Sequence, residues 1–444
     1  MLAGIPGSGT TTTLQSLALV IAATSDPATT DFLYLDLGGR GLEPLHELPH
    51  SIGYAGPGKA NRELQQRLLR YLRTEYDKRT TDPGEYSDIY VFIDSFATLR
   101  EEYDDAEGME LLEGLYQVWG KGPGVGIHMA GATSRLKAIP AAVDEVTTQK
   151  WLYRLADSYD YSLVGVSRDN IPAQVPGRYV DAVTKLHGHV ATVPASLEQA
   201  IASVAARWQP VEKSTVVARL SDDLRVSDLS TTAQLTGEPW IIPVGVEEAT
   251  LHDYCLEAYA GEHMLISGPA RSGKSSVLLG IAIKLAGDAR AAGSPLRIIG
   301  LASRRSPLHG SDVFDIVYDH EDVPSAVAEA GLGTTPTILV IDDAHHITEG
   351  EDALKDLLAT ANQQLLIIAA GRNDDLRSAY GKWTATLRKS RLGILLHPNR
   401  DYDGDLLGVR LPRRSPVKMT AGRGYACEGG TATLIQAVTV RDDA

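Results

Sequence analysis

The chain has 444 residues, of which 43% are hydrophobic and 22% charged, and this composition predicts several folded domains and excludes a disordered chain. The 42 Lys and Arg residues stand against 57 Asp and Glu residues, and the net charge of −15 argues against general binding of nucleic acid, which depends on clustered cations. The two cysteines exclude a disulfide scaffold and are typical of a reducing compartment.

The first predicted element is a glycine-rich loop that opens into a helix. Gly4, Gly9 and the hydroxyl of Thr11 have the spacing of a phosphate-binding loop, but Thr10 occupies the position where such a loop has lysine. We therefore take Gly4, Gly9, Thr10 and Thr11 as candidate nucleotide-binding residues of a degenerate loop.

The chain has fewer residues before its first loop than a complete strand requires. Met1 lies only three residues before the loop, whereas a strand that feeds such a loop has about five residues, so we expect the chain to begin inside a domain, with its first strand truncated. The apolar run 14–23 is shorter than the roughly 20 residues of a membrane span and has no basic segment before it, which excludes a span or a signal peptide there. We expect a cytoplasmic chain, with any membrane tether supplied by partners or by upstream sequence.

A second feature of the first half is an apolar strand that ends in an acid. The continuously apolar stretch 89–94 predicts a strand buried on both faces, and it ends in Asp94 followed by Ser95. With Thr10 in place of lysine and Ser95 in place of a second acid, two charged groups that phosphoryl transfer needs are absent. Two interpretations remain open here: a nucleotide pocket without efficient hydrolysis, and a vestigial, empty pocket.

A polar segment then separates the two halves. Residues 210–239 are rich in Ser, Thr and Asp and are bounded by Pro210 and Pro239, which is typical of a linker. Apolar strand character resumes at Trp240.

The second half opens with a complete phosphate-binding loop. Its glycines allow the backbone N–H groups to point at phosphate oxygens, and the following helix adds a partial positive charge. Lys274 is expected to reach the β- and γ-phosphates, and the Ser275 hydroxyl to ligate Mg²⁺. The candidate cofactor-binding residues are Gly268, Pro269, Ala270, Arg271, Ser272, Gly273, Lys274, Ser275 and Ser276.

The strand that follows supplies two acids. It ends at Asp342, a candidate Mg²⁺ ligand, and Asp343 then lies where a general base or water-orienting acid belongs, although it would also serve as a helix N-cap. Arg372, after the next apolar strand, is either a sensor of the γ-phosphate or an exposed loop residue. His345 and His346 suggest zinc, but no spaced Cys or His completes such a site, which favours ordinary loop histidines.

The last part of the chain carries a local excess of positive charge. The segment 382–423 has 10 Lys or Arg and 3 Asp, a local charge of +7. It is interpreted as a nucleic-acid patch, as a face that meets the nucleotide or the acidic surface of a neighbouring subunit, or as a solvated face. No interleaved aromatic residues support base stacking.

Three landmarks recur at similar distances along the chain, which indicates an internal repeat. The loop glycines, the strand-ending acids and a Gly-Arg pair are separated by 264, 248 and 245 residues, and they are Gly4 and Gly268, Asp94 and Asp342, and Gly177 and Gly422. We predict two tandem α/β domains, 1–209 and 240–444, joined by the linker 210–239. Each is expected to be a RecA-like P-loop domain with a mostly parallel sheet flanked by helices.

The combination of these motifs resembles the FtsK/SpoIIIE family of ring-forming ATPases, and within it the type VII secretion ATPases of the EccC/EssC type. The resemblance covers nearly the whole chain and corresponds to the last two of three ATPase domains. The stretches that carry it are 88–103, 124–128, 132–135, 176–178, 186–188, 242–251 and 407–424.

The resemblance implies a partner class and an assembly. Relatives of this type are membrane-anchored, form hexameric rings with their other ATPase domains, bind ATP and Mg²⁺, and recognise C-terminal signal peptides on small helical-hairpin proteins that they export. Their later domains often have degenerate sites. DNA-pumping relatives add a winged-helix module that reads DNA, for which the chain has no room after Gly422, so nucleic acid is not an expected partner.

Our primary interpretation is thus a pair of nucleotide-binding domains of a secretion ATPase, with hydrolysis, if any, slow and confined to the second domain. Two alternatives remain: a DNA translocase fragment of the FtsK/SpoIIIE type, and a non-hydrolysing module that nucleotide stabilises.

Overall fold

The computed structural model describes residues 1–192, 196–209, 211, 213, 217–333, 335–360, 362, 364–412, 415 and 417–440. The chain divides into two compact units, Met1–Arg219 and Leu220–Ala444. In the described part, none of the helices combines the length and the apolar character that a bilayer crossing requires.

The first unit alternates strands and helices along the chain. Its strands are β1 (Leu2–Ala3), β2 (Thr30–Asp36), β3 (Ser51–Ala55), β4 (Asp88–Asp94), β5 (Ile127–Thr133), β6 (Trp151–Leu152), β7 (Arg178–Asp181) and β8 (His187–His189). Its helices are α1 (Thr10–Thr24), α2 (Arg62–Thr81), α3 (Phe96–Glu102), α4 (Ala106–Lys121), α5 (Ala141–Asp144), α6 (Ser158–Leu163) and α7 (Leu197–Ala205). Within the described residues, the strands form one sheet in the order β3-β2-β4-β5-β1-β6-β7-β8.

The second unit begins with an additional hairpin and then follows the same succession. Its strands are β9 (Trp240–Glu247), β10 (Asp253–Ala258), β11 (Met264–Ser267), β12 (Arg297–Leu301), β13 (Ile316–Tyr318), β14 (Thr337–Ile341), β15 (Leu365–Gly371), β16 (Leu392–Leu396), β17 (Arg423–Glu428) and β18 (Thr431–Ala437). Its helices are α8 (Lys274–Ala291), α9 (Val323–Ala330), α10 (Glu351–Ala359), α11 (Asn373–Ser378) and α12 (Trp383–Leu387). The sheet order is β10-β9-β18-β17-β16-β11-β15-β14-β12-β13.

The two sheets share one topology, which confirms the predicted fold class. If β11 to β18 are matched in sequence with β1 to β8, the strand orders are identical, and β9 and β10 extend the second sheet at one edge. In both units the neighbouring strands among the first six of the repeat, β1 to β6 and β11 to β16, pair in parallel. The remaining neighbouring strands pair antiparallel. Each unit is therefore α/β, with a largely parallel sheet between helices.

Side-chain alternation along the central strands explains the two-layer packing. In β14, Ile338 and Val340 pack in a cluster with α8, whereas Leu339 and Ile341 pack with α9 and α10 on the other face. Every residue of β14 is buried, as expected for a parallel strand covered by helices on both sides.

The segment that we predict as a linker is divided between the units. Val217 pairs with Gly53 and joins the core of the first unit. Leu224 and Leu229 are buried in the core of the second unit, and Gln234 exchanges backbone hydrogen bonds with Ile241. Much of the described part of 210–239 is thus folded onto a unit, because its few leucines cover apolar surface that the strands leave open.

Candidate functional site

The loop between β11 and α8 has the shape of an anion cradle. Gly273, the residue before α8, is left-handed with φ of 95°, and a Cβ atom there would lie 2.9 Å from the backbone N of Gly422. That N donates to Ser272 O at 2.9 Å, and the Ser272 hydroxyl donates to Pro269 O at 2.9 Å. No side chain caps α8, so its first backbone N–H groups remain available to an anionic ligand.

Lys274 lies inside this cradle. The residue is 8% exposed, and its Nζ donates to Pro269 O at 2.8 Å. Burial lowers the pKa of this ammonium group, Asp343 and Asp342 oppose the shift, and the positive charge of Arg372 adds to it. The structure therefore brings Asp342, Asp343 and Arg372 close enough to Lys274 to interact with its charge.

The acid at the end of β14 meets the last residue of the loop. Ser275 Oγ donates to Asp342 Oδ1 at 3.0 Å, and the backbone N of Asp343 donates to the same oxygen at 3.0 Å. Asp342 is 1% exposed, so this carboxylate is directed into the site and not into solvent. A hydroxyl and a carboxylate that converge in this way fit Mg²⁺, which prefers a few hard oxygen ligands from the protein and keeps several waters.

Asp343 and Arg372 flank the loop from different strands. Asp343 is left-handed with φ of 47° and precedes a short 3₁₀ turn, Ala344–His346, but its side chain makes no capping hydrogen bond. The N-cap alternative thus lacks its defining contact. Arg372 is exposed at the start of α11, and with Pro269 and Ala270 it lines a cavity of about 410 Å³ beside the loop.

The neighbouring histidines contact each other and not a ligand cluster. The rings of His345 and His346 lie 4.1 Å apart, and the His345 Nε2 atom is 3.5 Å from Asp375 Oδ2. Burial lowers the pKa of His345, and His346 lowers it further. Among the residues that the structure describes, no group of three His, Cys, Asp or Glu side chains is placed to hold a metal ion.

The first unit has the same loop conformation and the same hydroxyl–carboxylate contact as this site. Gly9 is left-handed with φ of 101°, and a Cβ atom there would lie 2.8 Å from the backbone N of Gly177, as at Gly273. Thr11 Oγ1 donates to Asp94 Oδ2 at 2.7 Å. The loop starts at Gly4, whose N–H donates to the end of β5, and no side chain caps α1.

The side chains around this first frame differ in charge. Thr10 is the first residue of α1, as Lys274 is of α8, so no ammonium group enters the cradle at that position. Ser95 has the left-handed conformation of Asp343, and its N–H donates to Asp94 Oδ1 at 2.9 Å. Burial raises the pKa of Asp94, and the nearby charge of Asp36 adds to the rise.

The structure fits two of the sequence-based expectations poorly: the phosphate-loop role of Ser276 and the basic face of the segment 382–423. The Ser276 hydroxyl donates to Val440 O and accepts from Val440 N at 2.9 Å, so it faces the end of the described chain and not the loop. Of the basic segment 382–423, Arg423 is 1% exposed and Arg388 donates to three backbone carbonyls, so both arginines support the fold. The segment is therefore not one continuous cationic face.

Two polar contacts at the site are not indicated by the sequence motifs. Ser306, in the loop after β12, donates from Oγ to Asp342 Oδ2 at 2.7 Å. Asn373 accepts a hydrogen bond from Ser267 at the base of the loop and donates to Asp403 Oδ2 at 2.6 Å. The parallel pairing of β12 with β14 is the signal that could have indicated Ser306, because it brings the loop after Leu301 next to Asp342.

Comparisons with known proteins agree with this architecture. No protein-family profile matches the sequence. The ESX-1 secretion system protein EccCb1 of Mycobacterium tuberculosis is 27% identical over 319 residues, 63% of this chain and 52% of the relative. The ESX-4 secretion system protein EccC4 of the same organism is 27% identical over 493 residues, 98% of this chain and 38% of the relative. The chain thus spans about half the length of the first relative and less of the second.

Solved structures of such ATPases share the fold of the whole chain. ATPases 2 and 3 of EssC from Geobacillus thermodenitrificans match with a TM-score of 0.78 and 20% identity, covering 99% of this chain and 91% of that one. ATPases 2 and 3 of Thermomonospora curvata EccC, in complex with a signal sequence peptide, match with a TM-score of 0.58 and 21% identity, covering 99% and 88%. The resemblance to EccC/EssC secretion ATPases is thereby confirmed.

Proposed function

We propose that this chain comprises tandem ATPase domains of a type VII secretion ATPase, in which the second unit binds ATP with Mg²⁺ and the first is a degenerate copy that regulates or scaffolds. The observation that carries this proposal is the convergence of Lys274, Ser275 and Asp342 on one loop, with Asp343 and Arg372 beside it. These are the groups that phosphoryl transfer requires.

Each of these groups has a role in the proposed reaction. Backbone N–H groups of the loop and of the first turn of α8 would donate hydrogen bonds to phosphate oxygens. Lys274 would replace its hydrogen bond to Pro269 O with one to a phosphate oxygen. Ser275 and Asp342 would hold Mg²⁺ through their side-chain oxygens, and the ion would supply positive charge at the phosphates. Arg372 would reach the γ-phosphate from the cavity that it lines with Pro269.

Asp343 orients the attacking water in this scheme. Its side chain is one methylene shorter than the commoner glutamate, so the water is held less close to the phosphorus. A displacement of about 1 Å can cost roughly 100-fold in rate, and we therefore propose slow hydrolysis in the second unit. In the first unit, Thr10 and Ser95 cannot provide the missing charges, so turnover there is not expected.

The partner proposal comes from the relatives. The Thermomonospora curvata structure contains a signal sequence peptide, and we propose that this chain likewise binds C-terminal signal peptides of small helical-hairpin proteins that it helps to export. A short amphipathic helix in an apolar groove is weak as a single contact and gains from several copies in a ring. The full-length protein, in this proposal, assembles such a hexameric ring with its other ATPase domains at the cytoplasmic face of the membrane.

The partner is tested by titrating the whole chain with C-terminal peptides of small helical-hairpin proteins encoded nearby, and separately with duplex DNA, at about 50 and 200 mM salt. Peptide binding with little salt dependence supports the secretion role, since an apolar groove does not depend on counterion release. Binding of DNA alone, with affinity falling by orders of magnitude between the two salt concentrations, contradicts it and favours a DNA translocase.

A further inference from the structure

The carboxylate of Asp342 is held at both of its oxygens. Ser275 Oγ and the backbone N of Asp343 donate to Oδ1, each at 3.0 Å, and Ser306 Oγ donates to Oδ2 at 2.7 Å. Hydrogen bonds to an ionised oxygen are stronger than neutral ones, and three donors leave this side chain little rotational freedom. Ser306 is the donor that comes from neither the phosphate loop nor β14.

The backbone fixes where the Ser306 hydroxyl lies. Asp342 N donates to Leu301 O at 3.0 Å, which ties the ends of β12 and β14 together. The chain then turns, with Ser306 N donating to Ser303 O at 2.9 Å, and enters a 3₁₀ turn, Pro307–Gly310. Leu308 within this turn is fully buried in the core of the second unit, which anchors the loop by packing.

The first unit provides a comparison within the same chain. Asp94 retains the hydroxyl of Thr11 and the N–H of Ser95, but the loop after β2 brings Gly38 close to the carboxylate. A Cβ atom on Gly38 would lie 2.8 Å from Asp94 Oδ2, so this loop passes close to the acid without presenting a hydroxyl. A second buried carboxylate, Asp36, also lies nearby.

We propose that Ser306 is a positioning residue of the metal-binding end of the second site, which holds Asp342 so that its other oxygen faces Ser275 and Mg²⁺. This inference rests on the proposed binding of ATP and Mg²⁺ by the second unit and names a residue that the phosphate-loop pattern does not contain. If Ser275 turned to a bound metal ion, the hydrogen bond from Ser306 would still orient the carboxylate. Removal of a partner that orients a metal ligand commonly costs 10- to 100-fold in metal affinity.

The test compares ATP affinity with Mg²⁺ and with EDTA by calorimetry on the whole chain. Ser306→Ala should bind Mg-ATP about tenfold or more weakly and bind metal-free ATP as the unchanged protein does. Ser306→Thr, which retains the hydroxyl, should recover most of the Mg-ATP affinity. Ser303→Ala, in the same loop but without a contact to Asp342, is the matched control and should change neither affinity.

Each other outcome overturns a defined part of the account. Equal affinity of Ser306→Ala and the unchanged protein for Mg-ATP overturns the inference alone. An equal loss with and without metal also overturns it, because Ser306 would then act by supporting the loop and not by orienting a metal ligand. If the unchanged protein binds no nucleotide in either condition, the proposed function fails first and the inference with it.

Discussion

The Thr11 hydroxyl donates to Asp94 Oδ2 over 2.7 Å in the first unit, and Ser275 and Asp342 repeat this contact in the second over 3.0 Å. The two units thus share the backbone frame of a phosphate site and its hydroxyl–carboxylate contact. They differ in the charged side chains at the phosphate site, because Thr10 in the first unit occupies the position of Lys274 in the second.

Asp343→Asn should reduce steady-state ATP hydrolysis by about 100-fold or more while leaving Mg-ATP affinity nearly unchanged, because the neutral amide neither orients the attacking water as the carboxylate does nor takes a proton from it. Phosphate release and calorimetry measure the two effects. Asp352→Asn, at an exposed position on α10, serves as the control. Substantial residual hydrolysis in Asp343→Asn would mean that the first unit turns over ATP after all.

Arg372→Ala should weaken binding of ATP more than binding of ADP, since this side chain is proposed to reach the γ-phosphate only. Comparison of the two affinities by calorimetry isolates that contact. Arg290→Ala, in the exposed last turn of α8, is the matched control. Equal loss of ATP and ADP affinity in Arg372→Ala would assign the arginine to the diphosphate or to the loop instead.

Asp94→Asn should stabilise the protein increasingly as the pH rises. Burial raises the pKa of Asp94, so the folded chain holds this proton more tightly than the unfolded chain does. The unfolding free energy of the unchanged protein therefore falls as the pH rises from the ordinary aspartate pKa through the raised pKa of Asp94. The variant does not lose this stability, because its amide does not ionise. Urea titrations between about pH 4 and 7 measure the difference in unfolding free energy between the variant and the unchanged protein, with exposed Asp104→Asn as control. If this difference stays constant or shrinks as the pH rises, the prediction is contradicted.

Arg423→Met should destabilise the second unit by at least about 3 kcal/mol, because it leaves buried acceptors without a donor. The guanidinium donates to Gln436 Oε1 at 3.1 Å and to Leu220 O at 3.0 Å. Exposed Arg410→Met removes the same charge at small cost. Urea unfolding distinguishes the two variants, and similar stabilities would restore the surface interpretation of this arginine.

The fold was predictable from sequence because its landmarks are tied to sheet geometry. A phosphate loop must follow the first strand of the repeat, and the acid must end a strand near it. Gly268 and Asp342 therefore mark inner strands of one sheet, and Gly4 and Asp94 mark inner strands of the other. Spacing alone was also enough to recognise that the first copy lacks its lysine.

The remaining features depend on contacts between distant parts of the chain. Ser306 contacts Asp342 across 36 residues of sequence, and no motif spans that distance. Counting charges placed Arg423 on a basic surface, whereas the fold buries it. In the same way, composition marked 210–239 as a linker, although Leu224 and Leu229 pack into the second core.

The most direct measurement is calorimetric titration of the chain and of Lys274→Ala with Mg-ATP. Lys274 is the only phosphate-loop lysine in the sequence, and its ammonium lies in the cradle at Pro269 O. Lys355→Ala, at a partly exposed position of α10, is the control. The account predicts that Lys274→Ala loses binding at the second site while Lys355→Ala retains it. Equal affinity in Lys274→Ala and the unchanged protein would contradict the assignment of the second unit as the nucleotide site.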